Sequence, residues 1–135
     1  MYTHFETELQ VRPDDIDLHQ HVHSSKYIDY VLAARWDQME RCYGMSMAAF
    51  NEAGLTWYIS VAHIEYKRAL GLQEWMIVRA GIQEVKARSV IVDFEIRKRD
   101  SGKVSASGYF DYVLIDLKTG KATDLPEWLL EKYTI

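Results

Sequence analysis

The chain has 135 residues, 48% hydrophobic and 13% aromatic, with 16 Lys and Arg against 20 Asp and Glu for a net charge of −4. That length fits one domain over 1–135 with a core of its own, and a single cysteine, Cys42, excludes an internal disulfide scaffold and makes a reducing compartment the default. The acidic balance weighs against nucleic acid as a partner, the first residues (MYTHFETELQ) place acids where a secretion signal is basic and then apolar, and no apolar run approaches the ~20 residues of a membrane span; the chain reads as cytoplasmic.

In chain order, FETELQVR (5–12) alternates Phe5, Thr7, Leu9 and Val11 against Glu6, Glu8, Gln10 and Arg12, which predicts a half-buried strand ended by Pro13. From Ser24 to Tyr43 the apolar residues Tyr27, Ile28, Val31, Leu32, Ala34, Met39, Cys42 and Tyr43 recur at spacings of three and four. This predicts a long helix with Ser24 or Ser25 as N-cap and Gly44 as stop. Its apolar residues cover well over half the circumference, so it is expected to be buried nearly all round. A short helix (45–53) and a turn at Gly54 lead to strands at 57–66, 75–85 and 89–99. Asp100-Ser101-Gly102 is a hairpin signal, 103–116 returns as the last long strand, and Pro126 opens a terminal helix, EWLLEKY. The order is that of an α+β protein, one long buried helix cradled by one antiparallel sheet.

The densest polar cluster, Asp14, Asp15, Asp17, His19, His21 and His23, lies just before the long helix. It reads in three ways: a solvated loop, a metal site, or a centre for acyl transfer. Asp17, His19, His21 and His23 are residue types that suit zinc, but in an extended segment they are strung out at ~6.5–7 Å intervals, and no downstream motif supplies a second arm. For acyl transfer, a carboxylate before a helix N-terminus sits beside free N–H donors and the positive end of the helix dipole, which is what a developing oxyanion needs. A thioester carbonyl on the Ser24 N–H would then be open to Asp17, acting as nucleophile or as general base toward water.

The segment D-I-D-L-H-Q-H-V-H-S-S-K-Y-I-D-Y (15–30) with Ala33-Ala34-Arg35 resembles the signature D-x-D-x-x-G-H-V-N-N-x-x-Y-x-x-Y-x-x-x-A-R of hotdog-fold acyl-CoA thioesterases of the 4-hydroxybenzoyl-CoA thioesterase type. E-Y-K-R-A (65–69) and L-P-E-W (125–128) extend the match in order. The resemblance implies a curved antiparallel sheet around the helix, a homodimer or homotetramer with sites at the subunit interface, and an acyl-CoA substrate; no metal or organic cofactor is expected. It implies that Asp17 is the catalytic carboxylate, that the amides near His23 and Ser24 form the oxyanion site, and that His21 positions or polarises the substrate. This chain departs from the signature at Gln20, in place of glycine, and at His23-Ser24, in place of Asn-Asn. Gln20 is expected to narrow the approach of the thioester.

Coenzyme A carries phosphates, and residues 67–103 hold four more basic than acidic groups inside an acidic chain. Lys67 and Arg68 at one strand end, and Lys86 and Arg88 at a strand turn, are the expected phosphate contacts. The alternatives are an acyl carrier protein thioester as substrate, and a hotdog module that binds acyl thioesters without turning them over.

Overall fold

The structure, a computed structural model, describes residues 2–135. Five strands form where branched and aromatic side chains alternate: β1 (His4–Gln10), β2 (Leu55–Tyr66), β3 (Trp75–Val85), β4 (Ser89–Lys98) and β5 (Val104–Asp116). They make one sheet in the order β1-β3-β4-β5-β2, antiparallel throughout. Register shifts at Ile59/Val61, Ile82/Glu84 and Ile96/Arg97 bend it.

Alternation gives the sheet one apolar face, on which Met76 and Val78 of β3, Val92 and Ile96 of β4 and Phe110 and Leu114 of β5 are all buried. The helix α1 (Tyr27–Arg41) packs with β1 and β3 through Val31, Ala34 and Met39. Within this apolar layer Gln38 is fully buried; its Nε2 donates to Phe5 O at 3.2 Å and Thr7 Oγ1 at 3.1 Å, tying α1 to β1. A short helix α2 (Met47–Glu52), capped by Ser46, packs on β2, and α3 (Glu127–Tyr133) adds Leu129 and Tyr133 to the core. No helix among the described residues is long and apolar enough to cross a membrane.

The architecture is the one expected from the sequence, with local differences. The first strand ends at Gln10 because the Val11 N–H turns to Glu74 O and the Arg12 N–H to the Tyr30 hydroxyl, and Pro13 then opens a 3-10 turn. The second begins at Leu55, directly after Gly54, whose φ of 80° makes the turn. The long helix starts as a separate 3-10 turn, Ser24–Lys26, and becomes α-helical at Tyr27. It is also not buried all round: Asp29, Ala33, Trp36 and Glu40 form an exposed stripe along one side of it. Ala33 and Trp36 fall outside the pattern of threes and fours, and the single sheet covers only the opposite side of the helix.

Candidate active site

Residues 15–24 fold through local hydrogen bonds. Ile16 and Val22 form an antiparallel bridge, the Asp17 N–H donates to His21 O at 2.8 Å, and the Gln20 N–H donates to Asp17 O at 3.1 Å. The run that would set Asp17, His19, His21 and His23 along an extended strand is therefore a tight turn. Gln20 adopts φ 63°, the left-handed region that favours glycine. The glycine of the signature is thus explained by backbone conformation, where the sequence suggested clearance for substrate.

Closing the turn points the Asp17 carboxylate back over it. Its Oδ1 accepts from the His21 N–H at 3.2 Å and the His19 N–H at 2.8 Å. These backbone donors, His21 first, hold the carboxyl below the usual carboxylate range, so it is ionised at neutral pH. Oδ2 has no hydrogen bond from the described residues.

Asp15, two positions earlier, is buried. Its Oδ2 accepts from the Tyr30 hydroxyl at 2.5 Å and from Arg12 Nε at 3.1 Å, and its carbonyl accepts from the His23 N–H at 2.8 Å. Burial alone would raise its pKa, but the bonds from Tyr30 and Arg12 outweigh that and lower it. The Tyr30 hydroxyl is in turn pushed up to about 12 by burial and by Asp15. This buried cluster clamps the turn to α1.

At the helix start, His23 is the N-cap: its Nδ1 accepts from the Ser25 N–H at 3.2 Å and sits 2.8 Å from Ser25 Oγ. The expected caps Ser24 and Ser25 are the capped residues instead. With the His23 N–H donated to Asp15 and the Ser25 N–H to His23, the Ser24 N–H is the donor of this turn without an acceptor among the described residues. The oxyanion expectation, drawn for amides near both His23 and Ser24, narrows to Ser24.

A cavity of about 380 Å³ brings together Asp17, His21, His23, Ser24, Lys67 and Arg68, six of the eight expected site residues. Lys67 and Arg68 make no ion pair within the described residues; their backbone N–H groups both donate to Ser105 O, which fixes them at this end of the sheet. Lys86 and Arg88 do not line the cavity. They lie near Leu114, roughly 30 Å along β5 from Ser105 at ~3.3 Å per residue, and face Asp111 at 3.8 Å and Asp124 at 2.8 Å. Tyr66, within E-Y-K-R-A, carries a role that its sequence position does not signal. Its hydroxyl donates to Ser24 O at 2.7 Å and its ring meets Tyr27 edge-on at 5.1 Å, so it joins the end of β2 to the helix start. Tyr27 also lines the cavity, and its hydroxyl accepts from the Leu70 N–H at 3.0 Å.

A family model described as the thioesterase-like superfamily matches residues 11–133. The long-chain acyl-CoA thioesterase FadM of Escherichia coli (strain K12) is 30% identical to this chain over 128 residues, which are 94% of this chain and 95% of that protein. Among solved structures, the probable thioesterase YbaW from Escherichia coli aligns with a TM-score of 0.83 and 27% identity over 96% of this chain and 98% of its own. The DHNA-CoA thioesterase from Staphylococcus aureus aligns with a TM-score of 0.87 over 96% and 88%; at 20% identity it attests to the fold alone.

Proposed function

The chain belongs to the thioesterase-like superfamily, hotdog-fold thioester hydrolases, and we propose that it cleaves acyl-CoA thioesters with Asp17 as the nucleophile. One observation carries this reading: an ionised carboxylate with a free oxygen and an unpaired helix-start N–H line the same cavity. The thioester carbonyl oxygen sits on the Ser24 N–H, where the helix dipole stabilises the charge that develops. Asp17 Oδ2 attacks the carbonyl carbon, the C–S bond breaks, and coenzyme A leaves as a thiolate that takes a proton from solvent. Water then hydrolyses the acyl-aspartyl anhydride, releasing the acid and restoring the carboxylate. The depressed pKa keeps the carboxylate ionised and available for attack at neutral pH. His21 orients the carbonyl from the cavity wall, and His23 holds the turn that presents Ser24.

The coenzyme A phosphates bind Lys67 and Arg68, which no carboxylate of the described residues occupies. A homodimer completes the site. The edge strand β2 is twelve residues long, exposes Tyr58, Val61 and Tyr66, and has one side unpaired, the kind of edge a second copy covers. Antiparallel pairing of two β2 strands about a two-fold axis brings the partner's Leu55 end beside Tyr66. The turn that carries Lys86 and Arg88 in the second copy then lies at the same end of the double sheet as Lys67 and Arg68.

Purified protein assayed on acyl-CoA thioesters of increasing chain length and on the same acyl groups carried by acyl carrier protein tests the function. Long-chain acyl-CoA comes first, given the FadM relationship. Faster hydrolysis of coenzyme A esters is expected; preference for the carrier would replace the partner, and no hydrolysis of any thioester would make this a binding module.

A further inference from the structure

Beyond the thioesterase site, the interior holds a cation that nothing neutralises. Arg35 projects from the middle of α1 with 3% of its surface exposed, so pairing with another copy can cover it no further. Its contacts are Nη1 to Gln38 Oε1 at 3.4 Å, Nη2 to Met39 Sδ at 3.5 Å, and the Tyr43 ring, whose centroid is 5.4 Å away. No carboxylate of the described residues pairs with it, and its Nε–H donates to nothing among them. A guanidinium does not shed its proton to escape burial, so its charge persists.

Beside it lies a cavity of about 10 Å³ walled by Arg35, Met39, Trp57, Val92, Tyr112 and Tyr133 among others. The Tyr112 hydroxyl is also buried and without a partner, and burial pushes its pKa up to about 12, so it remains a donor. No carboxylate lines the cavity, and the unpartnered polar groups on its wall, the Arg35 Nε–H and the Tyr112 hydroxyl, can both donate. A water accepts from both but leaves the charge uncompensated; an anion accepts from both and neutralises it. Arg35 is about 12 Å along α1 from Tyr27 at roughly 1.5 Å per residue, which separates this cavity from the Asp17 site.

We propose that Arg35 and Tyr112 form an internal binding site for one small monovalent anion of halide size, a structural ion held between α1 and the sheet. The cavity is small enough that one monatomic ion fits it better than a phosphate. Thermal unfolding in chloride against gluconate at constant ionic strength tests it, since an anion that binds only the folded state stabilises by mass action. Above its dissociation constant, each tenfold rise in chloride raises Tm by roughly 4 °C, with gluconate inert. Tyr112→Phe, which keeps the ring in the core, weakens the response several-fold, and Arg35→Met abolishes it. Crystals soaked in bromide show an anomalous peak within hydrogen-bond distance of Arg35. Equal Tm in chloride and gluconate, an unchanged response in Tyr112→Phe, or no bromide at Arg35 would overturn the proposal; acyl-CoA hydrolysis is measured separately and is not required for any of these readouts.

Discussion

Asp15 and Asp17 stand two positions apart with their carboxylates held in opposite ways. Asp15 is buried and saturated by Tyr30 and Arg12, whereas Asp17 is restrained at one oxygen by two backbone N–H groups and free at the other. A depressed carboxyl pKa means that the reactive anion is present above that pKa and lost only as pH falls through it. The acid limb of kcat/KM is therefore expected below pH ~4, under the ordinary Asp value, and a limb near the ordinary histidine value of ~6.5 would assign the chemistry to a cavity histidine, His21 or His23. Gln20, held at φ 63°, carries conformational strain. Gln20→Gly should raise stability by about 1 kcal/mol, seen as a higher Tm in thermal melts, with Asp17 undisturbed. The sequence showed that position as a departure from a signature; it could not show the sign of φ, which follows from the turn closed by Asp17 and His21.

At the level of elements, the strands were legible because Val, Ile, Phe and Tyr alternate at fixed spacing, and α1 because its apolar residues recur at three and four. Neither periodicity registers a buried polar group, so Gln38 and Arg35, both inside the helix-sheet layer, were not legible. The 3-10 start at Ser24–Lys26 was hidden for a related reason: His23 caps it through a ring nitrogen, outside the usual Ser, Thr, Asp and Asn repertoire. The seating of β2 against β5 rests on Gly108, where a Cβ would lie 1.8 Å from the His63 carbonyl oxygen and 2.9 Å from Phe94. Gly108→Ala must push β2 off the sheet. A loss of at least about 3 kcal/mol in urea unfolding is expected, and hydrolysis falls with it because Tyr66 leaves the helix start.

Across the whole molecule, charge is uneven: the acidic N-terminal half supplies Asp17, and the basic segment 67–103 supplies Lys67, Arg68, Lys86 and Arg88. Chain position told which residues are basic but not which end of the sheet each occupies; antiparallel reversal separates the two pairs within one protomer. The proposed pairing of β2 edges would reunite them. Val61→Lys, near the middle of that edge, would set two like charges against each other across the two-fold axis, and sedimentation should find a folded monomer with acyl-CoA affinity much reduced. The most direct measurement is kcat of Asp17→Asn on an acyl-CoA, made on protein whose Tm and sedimentation match the parent. A fall of roughly 10³-fold or more with KM little changed is expected. Turnover within tenfold of the parent would contradict it and remove Asp17 from the mechanism.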